Sequence, residues 1–206
     1  MNRVIPLGVL ALAILAFATL LLVILPGIQI RTEPPTPGLE AYTAAESRGR
    51  DIYVSQGCVS CHSQQPRSLD QAPDAERGWG RASVASDYFY DQPHQLGTMR
   101  TGPDLQNVGA RLPSRDWHLT HLYQPRAVFD WSIMPAYPYL FEIKDKAARG
   151  DVVVAMPGGY APAGKVVVAR SQALDLVAYL KSLDRTFPAP RAGVRDDGYS
   201  ERGEPR

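Results

Sequence analysis

Cys58-Val59-Ser60-Cys61-His62 is the stretch that decides how this 206-residue chain is interpreted. The two cysteines are the only ones in the chain, and a histidine directly follows the second. Thiols at this spacing on one helical turn can both add across the vinyl groups of a haem, and the adjacent imidazole can then reach the iron. The pentapeptide therefore predicts one covalent haem c, held by Cys58 and Cys61 and ligated by His62.

Three other interpretations of the pentapeptide are weaker. A thioredoxin-like redox pair also uses C-x-x-C, but it needs a preceding strand, whereas residues 44–54 have a helical pattern. A structural zinc site needs four ligands, and the sequence has no second cysteine pair. A disulfide at this spacing is strained and leaves His62 unexplained. Haem attachment is favoured, and the redox pair is its main alternative.

The N-terminal segment has the length and composition of a membrane anchor. No charged residue occurs from Val4 to Ile30, and about 20 apolar residues cross a hydrocarbon core of about 30 Å. The run exceeds a signal-peptide core, and no small-x-small cleavage site follows it, so a retained anchor is favoured over a cleaved signal. Because haem c is assembled on the oxidising side, we expect a single-pass protein of the bacterial inner membrane with a periplasmic haem domain.

Composition limits the part of the chain outside the membrane. Without Arg3, 21 basic residues face 21 acidic ones, which argues against nucleic acid as a partner. The pattern predicts an anchor (1–30), a proline-rich linker (31–43), one cytochrome c domain (44–187) and a flexible tail (188–206). The expected fold class is mainly α, with long loops and a small β-hairpin.

The predicted elements of the domain come from apolar spacing and capping signals. We expect helices over 44–56, from Ser114 towards Val128, and over 171–183 with Ser171 as N-cap. Two Val-rich runs, 151–155 and 165–169, predict the hairpin. Gly49 and Tyr53 on the first helix and Tyr179 on the last suit a helix crossing. The irregular segment 63–100 carries aromatic residues. They need a surface to pack on, either on this domain or on a partner subunit.

Three internal methionines are candidates for the second axial ligand: Met99, Met134 and Met156. Met134 is favoured, because Pro135 and Pro138 stiffen the loop from which a thioether would approach the iron. Histidine and methionine together leave no open coordination position, so the haem would relay electrons and not bind oxygen.

Residues around the haem can also be assigned. The carbonyl of Pro103 is expected to accept the Nδ1–H of His62 and so to fix the ligand ring. Arg67, Arg100 and Arg111 are candidates to pair with the haem propionates. Of the remaining histidines (His94, His118 and His121), only the last two have metal-ligand spacing, and packing is the favoured role for both.

The chain resembles a known family. The resemblance spans about Tyr53 to Leu140 and is carried by the segments Gly57–Gln64, Arg100–Leu105, Asp116–His118, His121–Arg126 and Met134–Leu140. They are similar, in order, to segments of the membrane-anchored mono-haem cytochrome c subunit of cbb3-type cytochrome c oxidases.

This resemblance implies an electron-transfer subunit. Its partners would be a polytopic haem–copper oxidase subunit, which performs the catalysis, a cytochrome c-type electron donor, and membrane lipid. Cys58 and Cys61 would hold the haem, with His62 and Met134 on the iron. Two alternatives remain open, a nitric oxide reductase subunit and a membrane-tethered shuttle that works alone. The sequence assigns no catalytic residue to this chain.

Overall fold

The N-terminal apolar run is helical throughout in the computed structural model, which describes residues 4–32 and 34–189. Helix α1 (Val4–Thr19) leads through a π-helical turn (Leu20–Ile24) into α2 (Leu25–Thr32). The backbone N–H of Leu25 donates to the oxygen of Leu20, five residues earlier. A widened turn at this point accommodates Pro26, whose ring would clash with a carbonyl of a regular α-helix. The span Val4–Gln29 is long and apolar enough to cross a membrane, and none of it is buried.

The described residues fall into two compact units. The first contains the N-terminal helix, residues 34–39, the segment 84–91 and Ala189. Within it, the buried Thr36 has its Oγ1 atom 2.9 Å from both Ser86 Oγ and Asp87 Oδ1. The proline-rich linker is thereby bound to a 3₁₀ turn, Ala85–Tyr88. The predicted flexible tail lies, from residue 190 onward, outside the described residues.

The second unit, residues 40–83 and 92–188, is organised by the crossing of its first and last helices. Helix α3 (Ala44–Ser55) begins with a capping box of Thr43 and Glu46, which confirms the predicted helix. It packs on α6 (Ser171–Ser182). A Cβ at Gly49 would lie 1.9 Å from the carbonyl oxygen of Asp175, so only glycine permits this approach. The predicted crossing is confirmed.

Two short helices occupy the middle of this unit. Helix α4 covers Val108–Arg111, and α5 covers Arg115–Tyr123. The hydroxyl of Ser114 accepts the backbone N–H of Trp117 at 3.2 Å and caps α5, as predicted. Pro125 then starts a separate 3₁₀ turn, Pro125–Ala127, because its ring cannot continue the helix.

The predicted hairpin is wrong in its first strand. The observed antiparallel sheet pairs β1 (Phe141–Lys144) with β2 (Val166–Ala169). Residues 151–155 lie along the other edge of β2, where Val153 forms only an isolated bridge to Val168. The β-branched pattern identified a segment suited to extended structure, but it carried no information on the pairing partner.

The expected cap of the last helix is also wrong. Helix α6 starts at Ser171 itself, and its N-cap residue is Arg170, which forms no side-chain capping hydrogen bond within the described residues. The Arg170 side chain instead donates from Nε to the carbonyl oxygen of Phe141 at 2.9 Å. It therefore links the start of α6 to β1, while the buried face of α6 completes the core with Leu176, Val177 and Tyr179.

Candidate haem-binding site

The pentapeptide forms a single tight turn directly after α3. Gly57 adopts a left-handed conformation (φ 68°), which redirects the chain into the 3₁₀ turn Cys58–Ser60. The backbone N–H groups of Cys61 and His62 both donate to the carbonyl oxygen of Cys58, at 3.1 and 3.0 Å. Both thiols and the imidazole therefore belong to one turn, the arrangement required for two-point attachment of a haem.

Within the described residues both cysteines are free thiols, so the plain disulfide is not formed. Cys58 is half-buried and packs against the core, whereas Cys61 is exposed. Burial raises the pKa of Cys58 to about 11, so this thiol is protonated at neutral pH. Its side chain interacts with the hydroxyl of Tyr137, and burial raises the pKa of that group to about 12.

The His62 ring is fixed from two sides. Its Nδ1 lies 2.8 Å from the carbonyl oxygen of Pro103, the contact expected from the sequence. Gly102 lies against the ring, because a Cβ there would be 2.2 Å from Cε1 and 2.8 Å from Nε2. Burial lowers the pKa of His62, which favours the neutral imidazole. With its proton on Nδ1, the ring presents the Nε2 lone pair, as a metal ligand must. Iron ligation by His62 stays a prediction.

A buried polar network lies behind this ring. The fully buried Asp104 carboxylate accepts hydrogen bonds from Ser63 Oγ (2.6 Å), from the backbone N–H of Gln65 (2.8 Å) and from that of Gln106 (2.9 Å). Arg100 bonds Ser63 Oγ as well, and it makes two 2.7 Å contacts with the buried Asp74. Burial alone would raise the pKa of Asp74, but Arg100 and a backbone N–H hold that pKa below its usual value.

The three candidate arginines differ in what they already bind. Arg100 is committed to this network, which leaves it unsuited to a propionate. Arg111 donates from Nη2 to the carbonyl oxygen of Asp104, while its buried Nε has no hydrogen-bond partner within residues 4–32 and 34–189. Burial lowers the pKa of Arg111. Arg67 is half-buried, and its backbone N–H donates to Asp74 at 2.7 Å. Of these three arginines, Arg111 is therefore the best candidate to pair with a haem propionate.

The three candidate methionines also occupy different environments. Met134 and Met156 are both partly buried against the hydrophobic core, against which Cys58 and Val59 also pack. Met99, in contrast, is 57% exposed. The loop that carries Met134 is anchored at both ends, by its own N–H to Ser132 Oγ at 3.2 Å and by the N–H of Tyr137 to the carbonyl oxygen of Leu122 at 3.0 Å. Such anchoring suits a ligand loop, but the choice of Met134 remains a prediction.

The histidines of α5 have packing contacts. The buried His118 has Nε2 2.9 Å from the carbonyl oxygen of Leu112. His121 stacks on Trp117 with ring centroids 4.9 Å apart, and its Nδ1 has no partner among the described residues. Burial lowers the pKa of His121 to about 4. Across residues 4–32 and 34–189, no group of three or more His, Cys, Asp or Glu side chains could hold a metal ion.

Sequence reasoning missed several residues that shape the site: Gly102, Tyr137, Ser63, Asp74, Asp104 and Gln64. Gln64 is buried, and its Nε2 is 3.1 Å from the hydroxyl of Tyr179, while the hydroxyl of Tyr53 donates to the carbonyl oxygen of His62 at 3.2 Å. These bonds tie the helix crossing to the pentapeptide. A glycine before Pro103 and an acidic residue after it were the available signals.

The residues present fit a covalently bound haem. Two thiols and an imidazole share one turn, a glycine leaves room against the imidazole ring, and two thioethers pack against the same core as Cys58. The buried Nε of Arg111, which has no hydrogen-bond partner among the described residues, suits a propionate carboxylate. A zinc site would require four side chains bound to the metal, and the described residues do not bring such a group together.

Comparison with known proteins identifies the family. Residues 2–157 match the family model described as "Cytochrome C oxidase, mono-heme subunit/FixO". The match runs from the membrane-spanning helix through the pentapeptide, the Gly102-Pro103 segment and the Met134 loop. The comparison with curated proteins found no significant match. The family match covers well over half of the sequence, so the chain belongs to the mono-haem subunit (FixO) family of cytochrome c oxidases.

Proposed function

We propose that this chain carries one haem c, attached through Cys58 and Cys61 and ligated by His62 and Met134. We propose further that it passes electrons from a cytochrome c-type donor to the polytopic haem–copper subunit of a cbb3-type oxidase. The observation that carries the proposal is the 2.8 Å contact of His62 Nδ1 with the Pro103 carbonyl, on the turn that holds both free thiols. The haem supplies a one-electron iron couple.

The protein's own contribution is to hold, orient and shield that group. Cys58 and Cys61 fix its position, and the Pro103 carbonyl makes the His62 imidazole a stronger ligand. Cys58, Val59 and Met134 are partly buried against the core and would give the group apolar surroundings. The half-buried Arg111, whose Nε is buried, would pair with a propionate. With His62 and Met134 both as ligands, the haem would exchange electrons and have no open position for oxygen, so oxygen reduction would belong to the partner subunit.

Location follows from the same proposal. The apolar helix Val4–Gln29 would anchor the chain in the bacterial inner membrane, in contact with lipid, with the haem unit on the periplasmic side. The oxidase family favours a complex with a haem–copper subunit over a shuttle that works alone.

The test of covalent attachment is the intact mass of the full-length chain, produced with a c-type haem maturation system and measured under denaturing conditions. We expect the mass of the chain plus one haem. A double Cys58→Ser, Cys61→Ser variant should lose the added mass, because no other cysteine exists in the chain. A haem that separates from the unaltered chain on denaturation would contradict the proposal.

The test of the partner is isolation of the native complex in mild detergent, followed by identification of the co-purifying chains. We expect a polytopic haem–copper subunit and electron flow to oxygen from a reduced cytochrome c. Isolation of the haem-loaded chain without such a subunit, at every mild detergent tried, would support the membrane-tethered shuttle instead.

A further inference from the structure

The side chain of Arg100 is bound to the irregular segment that follows His62. Its Nε donates to Ser63 Oγ at 2.9 Å, and Nη2 donates to the carbonyl oxygen of Gln65 at 2.9 Å. Nη1 and Nη2 also form a bidentate ion pair with Asp74, each at 2.7 Å. Only 14% of the side chain is exposed. A planar fork that meets this many acceptors fixes both the position and the angle of its partners.

Asp104 provides the matching contacts from the loop that carries Pro103. Its carboxylate accepts the hydroxyl of Ser63 and the backbone N–H of Gln65, so it binds the same two residues as Arg100. Two backbone bonds run in parallel, from Gly102 N–H to the Cys61 oxygen (2.9 Å) and from Leu105 N–H to the Ser63 oxygen (2.8 Å). Residues 61–65 and 102–105 therefore form a clasp, and the His62–Pro103 bond lies inside it.

Besides its fork of hydrogen bonds, Arg100 supplies the positive charge that the buried carboxylates of this clasp need. Asp74 and Asp104 are both fully buried, and Arg100 is the cation bonded to both, at 2.7 and 3.5 Å. Buried carboxylates without a partner would separate or bind protons. Trp79 covers the network, since the Arg100 guanidinium lies 5.1 Å from the centre of its ring. Trp79 is held in turn by the Asn107 amide, which donates to its carbonyl oxygen at 2.7 Å.

We propose that Arg100 is a positioning residue for His62, and that it acts through Ser63 and Asp104 to hold the Pro103 carbonyl on Nδ1. This inference rests on the proposed ligation of haem iron by His62. It also assigns a role to Trp79, whose ring lies against the Arg100 guanidinium and would shield the charged network from water.

Exchange of the His62 Nδ1 proton with solvent tests the role. The exchange rate of this proton is measured by NMR on the reduced, haem-loaded full-length protein. It is divided by the exchange rate of the Tyr179 backbone amide, which reports general opening of the core, to give an exchange ratio. Arg100→Gln and Ser63→Ala each remove a clasp bond, and each should raise the ratio about tenfold or more. Ser63→Ala leaves the Arg100–Asp74 ion pair in place. This variant therefore tests the role of the clasp even if the Arg100→Gln protein does not accumulate in cells.

Arg77→Gln is the matched control. Arg77 lies over the same Trp79 ring at 5.1 Å and 4.0 Å from the same Asp74, but it is half-exposed and lies outside the clasp. We expect the wild-type ratio in this variant. Arg100→Lys keeps the charge but loses the fork, and its ratio should rise as in Arg100→Gln.

Three results would overturn the inference: unchanged ratios in Arg100→Gln and Ser63→Ala, an equal rise in Arg77→Gln, or full rescue by Arg100→Lys. The last result would show that charge alone suffices. If the unaltered protein shows no haem-shifted Nδ1 proton from His62, the proposed ligation fails and this inference fails with it. That outcome is distinguishable from an error in the role of Arg100 alone. In the latter case the His62 signal is present, and its exchange ratio does not change with the substitutions.

Discussion

Gly102→Ala is the substitution that tests the histidine site most sharply. The new methyl group would lie 2.2 Å from His62 Cε1 and 2.7 Å from Nδ1. Because Gly102 does not have a positive φ, alanine adopts the same backbone conformation, and the effect must come from the contact with the ring. Carbon atoms pack at about 3.5 Å or more, so the ring has to move by about 1.3 Å.

Such a movement removes the bond to Pro103. A donor–acceptor distance of 2.8 Å that lengthens by about 1 Å exceeds the limit of a hydrogen bond. The imidazole then loses the acceptor that makes it electron-rich, and the ferric state loses more stabilisation than the ferrous state. The midpoint potential of the haem should therefore rise. Loss of a comparable hydrogen bond to a metal-binding histidine typically changes metal affinity about 10–100-fold. Each tenfold difference between the changes in affinity for ferric and ferrous iron corresponds to a shift of about 59 mV in the midpoint potential.

The assay is a spectroscopic redox titration of the haem-loaded full-length protein. Gly158→Ala is the control, because a Cβ at Gly158 meets no heavy atom of the described residues within 4 Å and this glycine also lacks a positive φ. We expect its potential to equal that of the wild type. A Gly102→Ala protein with the same potential as the wild type would refute the assignment of His62 as an iron ligand that the Pro103 carbonyl holds in place.

Three further predictions concern stability, pH and the propionate. Gly49→Ala should lower the free energy of unfolding in urea by about 3 kcal/mol, because its Cβ would meet the Asp175 backbone at 1.9 Å; Gly158→Ala should change it little. Burial lowers the folded-state pKa of His121 to about 4 from 6.5, so the stability present above pH 6.5 should fall as the pH drops towards 4, by up to about 3 kcal/mol. In urea titrations at several pH values, His121→Phe should reduce this dependence of the free energy of unfolding on pH. An unchanged dependence would contradict its assignment to His121. Arg111→Gln should lower the midpoint potential in redox titrations, since it removes the positive charge that we propose pairs with a propionate; no shift would refute the propionate role.

The sequence predicted the parts of the fold that depend on local signals. The membrane-spanning helix, α3 and α5 each combine apolar spacing with a recognisable start, such as Thr43 or Ser114. The contact between His62 and Pro103 was predictable because the pentapeptide defines the histidine and a proline marks a rigid carbonyl. In these cases a few neighbouring residues contain the necessary information.

The parts that were missed depend on long-range pairing. Residues 151–155 and 141–144 are both extended beside β2, and only the tertiary structure decides which of them forms the ladder. The network of Asp74, Arg100 and Asp104 joins residues up to 41 positions apart when Ser63 is included. Charged residues in an irregular segment look like surface residues in a sequence, because burial of paired charges has no local pattern.

The most direct test of the central claim is the near-infrared spectrum of the oxidised, haem-loaded protein, where a methionine–ferric iron bond gives its own charge-transfer band. Met134→Leu should abolish the band, while Met156→Leu, which alters the other core-packed thioether, should retain it. Met99→Leu, at an exposed position, should match the wild type. A band that survives in Met134→Leu, or one that is absent from the unaltered protein, would contradict an electron relay held between His62 and Met134.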